Sequence, residues 1–108
     1  MVTTKVIFRK FKSGVAKGQI IALFPYDLWN ERECASYMHI GQHSGADYNA
    51  MMSATKPAKP EEYQELYNEL VKIGYPNLQV VHKRTAKGIK EERERYEKLL
   101  ETLERAGV

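Results

Sequence analysis

Apolar positions fall on both faces of residues 3–11, a β-branched and aromatic stretch that predicts a strand. Val6 and Phe8 share one face there, and Ile7 and Phe11 share the other with Lys5 and Arg9. Residues 12–18 hold Gly14 and Gly18 and read as a hairpin loop. Residues 19–24 are apolar on both faces, which suits a central strand covered on both sides, with Pro25 expected to end it. Residues 25–33 read as a polar loop carrying Tyr26 and Trp29. Residues 34–43 read as one third strand. Ser36, Met38, Ile40 and Gln42 point one way, and Tyr37, His39, Gly41 and His43 the other.

The period then lengthens. Ser44 with Asp47 three residues on fits a capping box and predicts a short helix over about 45–54. Residues 55–60, with Pro57 and Pro60, read as a stiff connector. Pro60 suits the first position of a second helix, and Glu61 and Glu62 favour its positive end. Tyr63, Leu66, Tyr67, Leu70 and Ile73 recur at helical spacing, and Gly74 and Pro76 stop the pattern. Residues 78–84 read as a fourth strand. Residues 87–106 read as a last helix, with Ile89, Tyr96, Leu99, Leu100 and Leu103 in a narrow stripe. The expected fold class is α+β: a four-stranded, mostly antiparallel sheet with helices packed on one face, in the order β-β-β-α-α-β-α. Residues 1–85 would form the compact domain and 86–108 a helical extension of it.

Composition narrows the classes. A chain of 108 residues and 12.5 kDa is one domain's worth, and 43% hydrophobic residues exclude a wholly disordered chain. One cysteine excludes a disulfide scaffold or a cysteine-rich zinc module. Neither a membrane span nor a signal peptide is recognisable, so a cytoplasmic setting is expected. The net charge of +3 is unevenly spread. Residues 1–17 hold Lys5, Arg9, Lys10, Lys12 and Lys17 and no acid, whereas residues 86–108 balance six bases against six acids. A basic front element points to an anionic partner, or to an edge strand kept soluble by its lysines.

Chemistry concentrates in His39 to Tyr48, running from a strand toward an expected helix N-terminus. Unpaired amides and the helix dipole would favour an anion there, and Gln42, His43 and Ser44 would add donors. Arg9, Lys10 or Arg84 could neutralise phosphate charge, and Trp29, Tyr37 or Tyr48 could stack on a base. His39 and His43 on one strand would stand ~13 Å apart, too far to share a metal ion. Residues 43 and 44 would face opposite ways, which places His43 poorly as a base for Ser44. Cys34 reads as a buried structural thiol. No metal or cofactor is expected.

Several stretches carry a resemblance: residues 4–11, 21–25, 39–48, 54–58 and 73–75. Over roughly residues 3–85 they resemble a group of small proteins encoded in gut Bacteroidetes and in their phages and mobile elements. The resemblance supplies no catalytic or binding residues; it implies a bacterial cytoplasm, including one under phage infection. The expected function is a non-enzymatic binder of a small phosphorylated, nucleotide-type ligand, in a phage setting a counter-defence protein that sequesters a nucleotide immune signal. The alternatives are a nucleic-acid-binding module using the basic hairpin, a protein-interaction inhibitor docking by the hairpin edge or last helix, and a small hydrolase using His39, His43 and Ser44. A homodimer or higher oligomer through the last helix is the expected assembly.

Overall fold

The computed structural model describes residues 3–30, 32–39, 42–75 and 77–105, with the backbone alone at Gln42. The elements run β1 (Thr4–Phe11), β2 (Ile20–Leu28), β3 (Cys34–Met38), β4 (Gln42–Ala46), α1 (Tyr48–Ala54), β5 (Thr55–Pro57), α2 (Pro60–Lys72), β6 (Leu78–Val80) and α3 (Ala86–Arg105). The class is α+β, as expected, but the sheet has six strands rather than four. They lie in the order β4-β3-β2-β1-β5, with β6 pairing the free half of β1.

β1 organises the sheet. Its Ile7–Lys10 stretch pairs antiparallel with β2, Arg9–Phe11 pairs antiparallel with β5, and Thr4–Val6 pairs parallel with β6. The stiff connector expected at residues 55–60 therefore begins with a short strand. Its three residues bond to β1 because α1 ends against that strand, with Lys12 N donating to Ala54 O at 3.2 Å. The fourth expected strand is shorter than residues 78–84 and parallel to β1, and the chain leaves the ladder at Val81.

Two further boundaries move. Pro25 does not end β2: the strand continues to Leu28, and the register shifts between Phe24 and Leu28. A proline has no N–H to give a ladder and is tolerated at such an irregularity. The expected single strand over 34–43 is a hairpin. Its arms pair Cys34–Met38 with Gln42–Ala46, and His39 stands in the turn. Ile40 and Gly41 lie outside the described residues. An alternation of side chains continues across a tight turn, so periodicity alone does not separate one long strand from two short ones.

The helices cover both faces of the sheet, not one. On the first face Val6, Phe8, Ala22, Phe24 and Tyr37 form a cluster with Leu66 and Leu70 of α2. Phe8 stacks on Tyr63 with ring centroids 4.3 Å apart. On the second face Ile7, Ile21, Leu23, Cys34 and Ala46 form a cluster that Tyr48, Met51 and Met52 of α1 cover. This is why β1 and β2 are apolar on both sides. α2 starts at Pro60, where Glu62 Oε1 accepts from Lys59 N at 2.9 Å, and stops at Gly74, whose φ of +111° suits glycine. Pro76 lies outside the described residues.

α3 stands apart. Thr85 caps it, accepting from Gly88 N at 3.0 Å, and Tyr26 Oη accepts from Thr85 N at 2.9 Å. Gly88 is its buried residue among those described, because a Cβ there would collide with the Tyr26 phenol. Ile89, Tyr96, Leu99, Leu100 and Leu103 are all exposed.

Candidate functional site

The residues singled out in the sequence do not share one cleft. Ser44 lies in β4 and caps no helix; the cap of α1 is Asp47, whose Oδ1 accepts from Ala50 N at 2.9 Å. The amides expected to meet an anion beside Gln42, His43 and Ser44 therefore belong to a strand. α1 itself is seven residues long.

Arg9 is buried and spends its guanidinium on the end of α1. Nε donates to Thr55 Oγ1 at 3.0 Å, and Nη2 donates to the carbonyls of Thr55 at 2.7 Å and Met52 at 3.1 Å. Burial lowers its pKa from the ordinary arginine value. Lys10 is paired with Glu62, and this bond, followed by the Lys59 amide, holds the Glu62 carboxyl below its usual range. Lys5 sits 5.3 Å from the Tyr26 ring centre and 3.7 Å from Glu91, and Lys12 donates to Ser53 O. The basic front of the chain is thus largely spent on internal contacts.

His43 faces the α2 side. Its ring meets Tyr37 edge-on at 4.6 Å between centroids, and its Nε2 lies 2.8 Å from Tyr75 Oη. Tyr75 stacks on Phe24, and burial, then Asp27 and Tyr37, raise its pKa. Tyr37 is buried beneath this group and is not open to a ligand. His39, at the turn, places Nδ1 3.2 Å from Glu69 Oε1 on α2. Tyr48 and Arg84 meet each other instead: the guanidinium lies 4.4 Å from the ring centre, and Tyr48 Oη accepts from Arg84 N at 2.7 Å.

Ser44 does line an opening. A groove of about 550 Å³ crosses the second face at its β4 end, lined by Ser36, Met38, Ser44, Glu33, Asp47 and Met51 among others. Ser36 is buried and donates from Oγ to Ser44 O at 3.0 Å. Trp29, 52% exposed, lies against Gly45, where a Cβ would collide with its ring. Glu33 accepts from Asn30 Nδ2 and is hydrogen-bonded through its backbone to Trp29 and Asn30. The β2–β3 loop is thereby closed at the groove's rim. Of the residues lining this groove, sequence reading picked out Ser44. It missed Glu33 and Met51 as lining residues, because only the antiparallel pairing of β4 with β3 brings β4 beside them.

The chemistry of the groove is an apolar floor with hydroxyls and two carboxylates. It offers no cation to a phosphate from its own lining. Among the described residues no group of three His, Cys, Asp or Glu is placed to hold a metal ion. Cys34 is buried, and that burial, partly opposed by Arg84, raises its thiol pKa and makes it a poor nucleophile. His43 and Ser44 face opposite sides of the sheet. Among the described residues no helix is long and apolar enough to cross a membrane. No family model matches the chain, and no match is found among curated proteins or solved structures.

Proposed function

We propose that this chain is a non-enzymatic protein-interaction module that pairs with a second copy of itself along α3. One observation carries the reading. Ile89, Tyr96 and Leu103 repeat every seven residues along α3, with Leu99 and Leu100 between them, and their exposures run from 39% to 61%. Scattered exposed apolar residues need no explanation, but apolar residues recurring at heptad spacing and clustered over Tyr96–Leu103 on a solvated helix are the pattern of a helix seam. Both signs of charge flank it, with Arg93 and Arg95 toward the start and Glu97 and Glu104 toward the end. Light scattering after size exclusion should give a mass twice that of the chain. Leu99→Glu with Leu103→Glu should halve that mass without unfolding the domain. A chain that stays monomeric at all concentrations sinks the reading.

A second reading, a small nucleotide-type ligand, is supported by the half-exposed Trp29 ring over Gly45. A flat, exposed aromatic surface suits stacking on a base. In the phage setting that the sequence resemblance implies, such binding would sequester a nucleotide immune signal. Calorimetry against cyclic and ADP-ribose-derived nucleotides tests it, and silence across the panel removes it.

A further inference from the structure

The two edges of the sheet are built differently. The β5/β6 edge consists of two three-residue strands, and β5 carries Lys56 and Pro57. Short strands, lysine and proline are the usual means of blocking strand addition. The β4 edge has none of these. It presents five residues, Gln42–Ala46, without lysine or proline, and among the described strands only β3 pairs with it. The groove opens on the same edge. Ser44 and Ala46 of β4 line it with Met38 and Met51, and Glu33 and Asp47 are the acidic residues of the lining, Glu33 Oε1 also accepting from Asn30 Nδ2 and Asp47 Oδ1 from Ala50 N.

We infer that the β4 edge is a docking site for an extended, basic segment of another protein, which adds to the sheet as a seventh strand. Backbone pairing would supply general affinity. Alternate side chains of the incoming strand would point into the groove, because residues two apart share a face. The occupant is fixed by charge complementarity. A lysine or arginine lays its methylenes along the methionines and brings its cation to Glu33 and Asp47. An acidic segment meets two like charges instead. This site lies on the sheet, not on α3, so it does not depend on self-association.

The test is fluorescence polarisation at low salt with a labelled, capped seven-residue peptide that alternates lysine with threonine and valine. The same peptide with glutamate in place of lysine is the charge control. Two further versions carry N-methyl groups on alternate residues, one on the odd set and one on the even set, so that each blocks one edge of the peptide. The basic peptide should bind and the acidic one should not. One N-methylated version should lose binding at least about tenfold, and the other should keep it. Glu33→Gln with Asp47→Asn, which retains an oxygen to cap α1, should weaken the basic peptide by about fivefold, as expected for two exposed charge pairs. Running the series on the Leu99→Glu, Leu103→Glu variant keeps the result independent of α3. No binding of the basic peptide, equal binding of the acidic one, or equal binding of both N-methylated versions would overturn the proposal.

Discussion

Helix α2, 13 residues long, lays Leu66 and Leu70 into one cluster with Val6, Phe8 and Phe24, whereas α3, with 20 residues, has Gly88 as its buried residue. Both helices are amphipathic. The difference lies in where the chain delivers them. α2 follows β5, which is bonded to β1, and so arrives over the open face of the central strands. α3 leaves the sheet at Thr85 and touches it mainly at Tyr26. Amphipathicity therefore identifies a face that needs covering, but connectivity decides whether this chain or another covers it.

The sharpest way to break the comparison is to truncate one leucine in each helix. Leu70 is fully buried, and Leu70→Ala should cost about 2–5 kcal/mol in chemical denaturation. Leu103→Ala, measured dilute enough to keep the chain monomeric, should stay within about 0.5 kcal/mol. Next comes the hinge of α3. Gly88→Val forces a side chain into the Tyr26 phenol and should cost about 1–3 kcal/mol, with faster amide exchange confined to the first turns of α3. Tyr26→Phe, which removes the acceptor for Thr85 N but keeps the ring, should cost about 0.5–1.5 kcal/mol by the same measurement.

The smallest effects have opposite signs at the two helices. Glu62 of α2 has its pKa lowered by Lys10 and the Lys59 amide. Its contribution is present above the ordinary carboxylate range and is lost as pH falls through the folded-state value. Asp27, beside α3, has its pKa raised by partial loss of hydration and by Glu92, with Arg95 acting in opposition. Its charge works against folding at neutral pH, and this cost fades as pH falls through the raised value. Asp27→Asn should therefore raise the Tm at pH 7 and leave it unchanged in acid. Glu62→Gln should lower the Tm at pH 7 and also converge with the parent in acid. Calorimetric melting across pH 3–8 separates the two.

Much of the fold was legible because local pattern and tertiary environment agree. The two-faced apolar run at residues 19–24 did become a central strand, starting at Ile20, and Pro60, Glu62 and Gly74 did bound α2. The errors share a cause. Ser44 is an acceptable cap, but β3 offers a ladder to the residues around it, and tertiary pairing wins. Thr55 to Pro57 hold no strand pattern of their own and become a strand because Arg9 and β1 bind them. The candidate site was harder. Arg9 reads as a free cation in sequence, and its structural duty at the end of α1 depends on a contact 46 residues away. Glu33 and Met51, 18 positions apart, give no local sign that they will line one groove.

β1 pairs with three strands from very different distances along the chain. Its hairpin partner β2 follows at once, but β5 lies more than 40 residues downstream and β6 more than 70. Of the sheet's six strands β1 is made earliest, yet it is among the last to be completed on its far side. Until residues 55–80 have been made, the Thr4–Phe11 strand shows an apolar, unpaired edge to the cell, and loop closure over these distances is slow. The five basic residues in the first 17 would meet that interval as well as the folded state. In the finished protein most of them have settled into internal bonds; in the nascent chain their charge would keep an exposed hairpin apart from its neighbours.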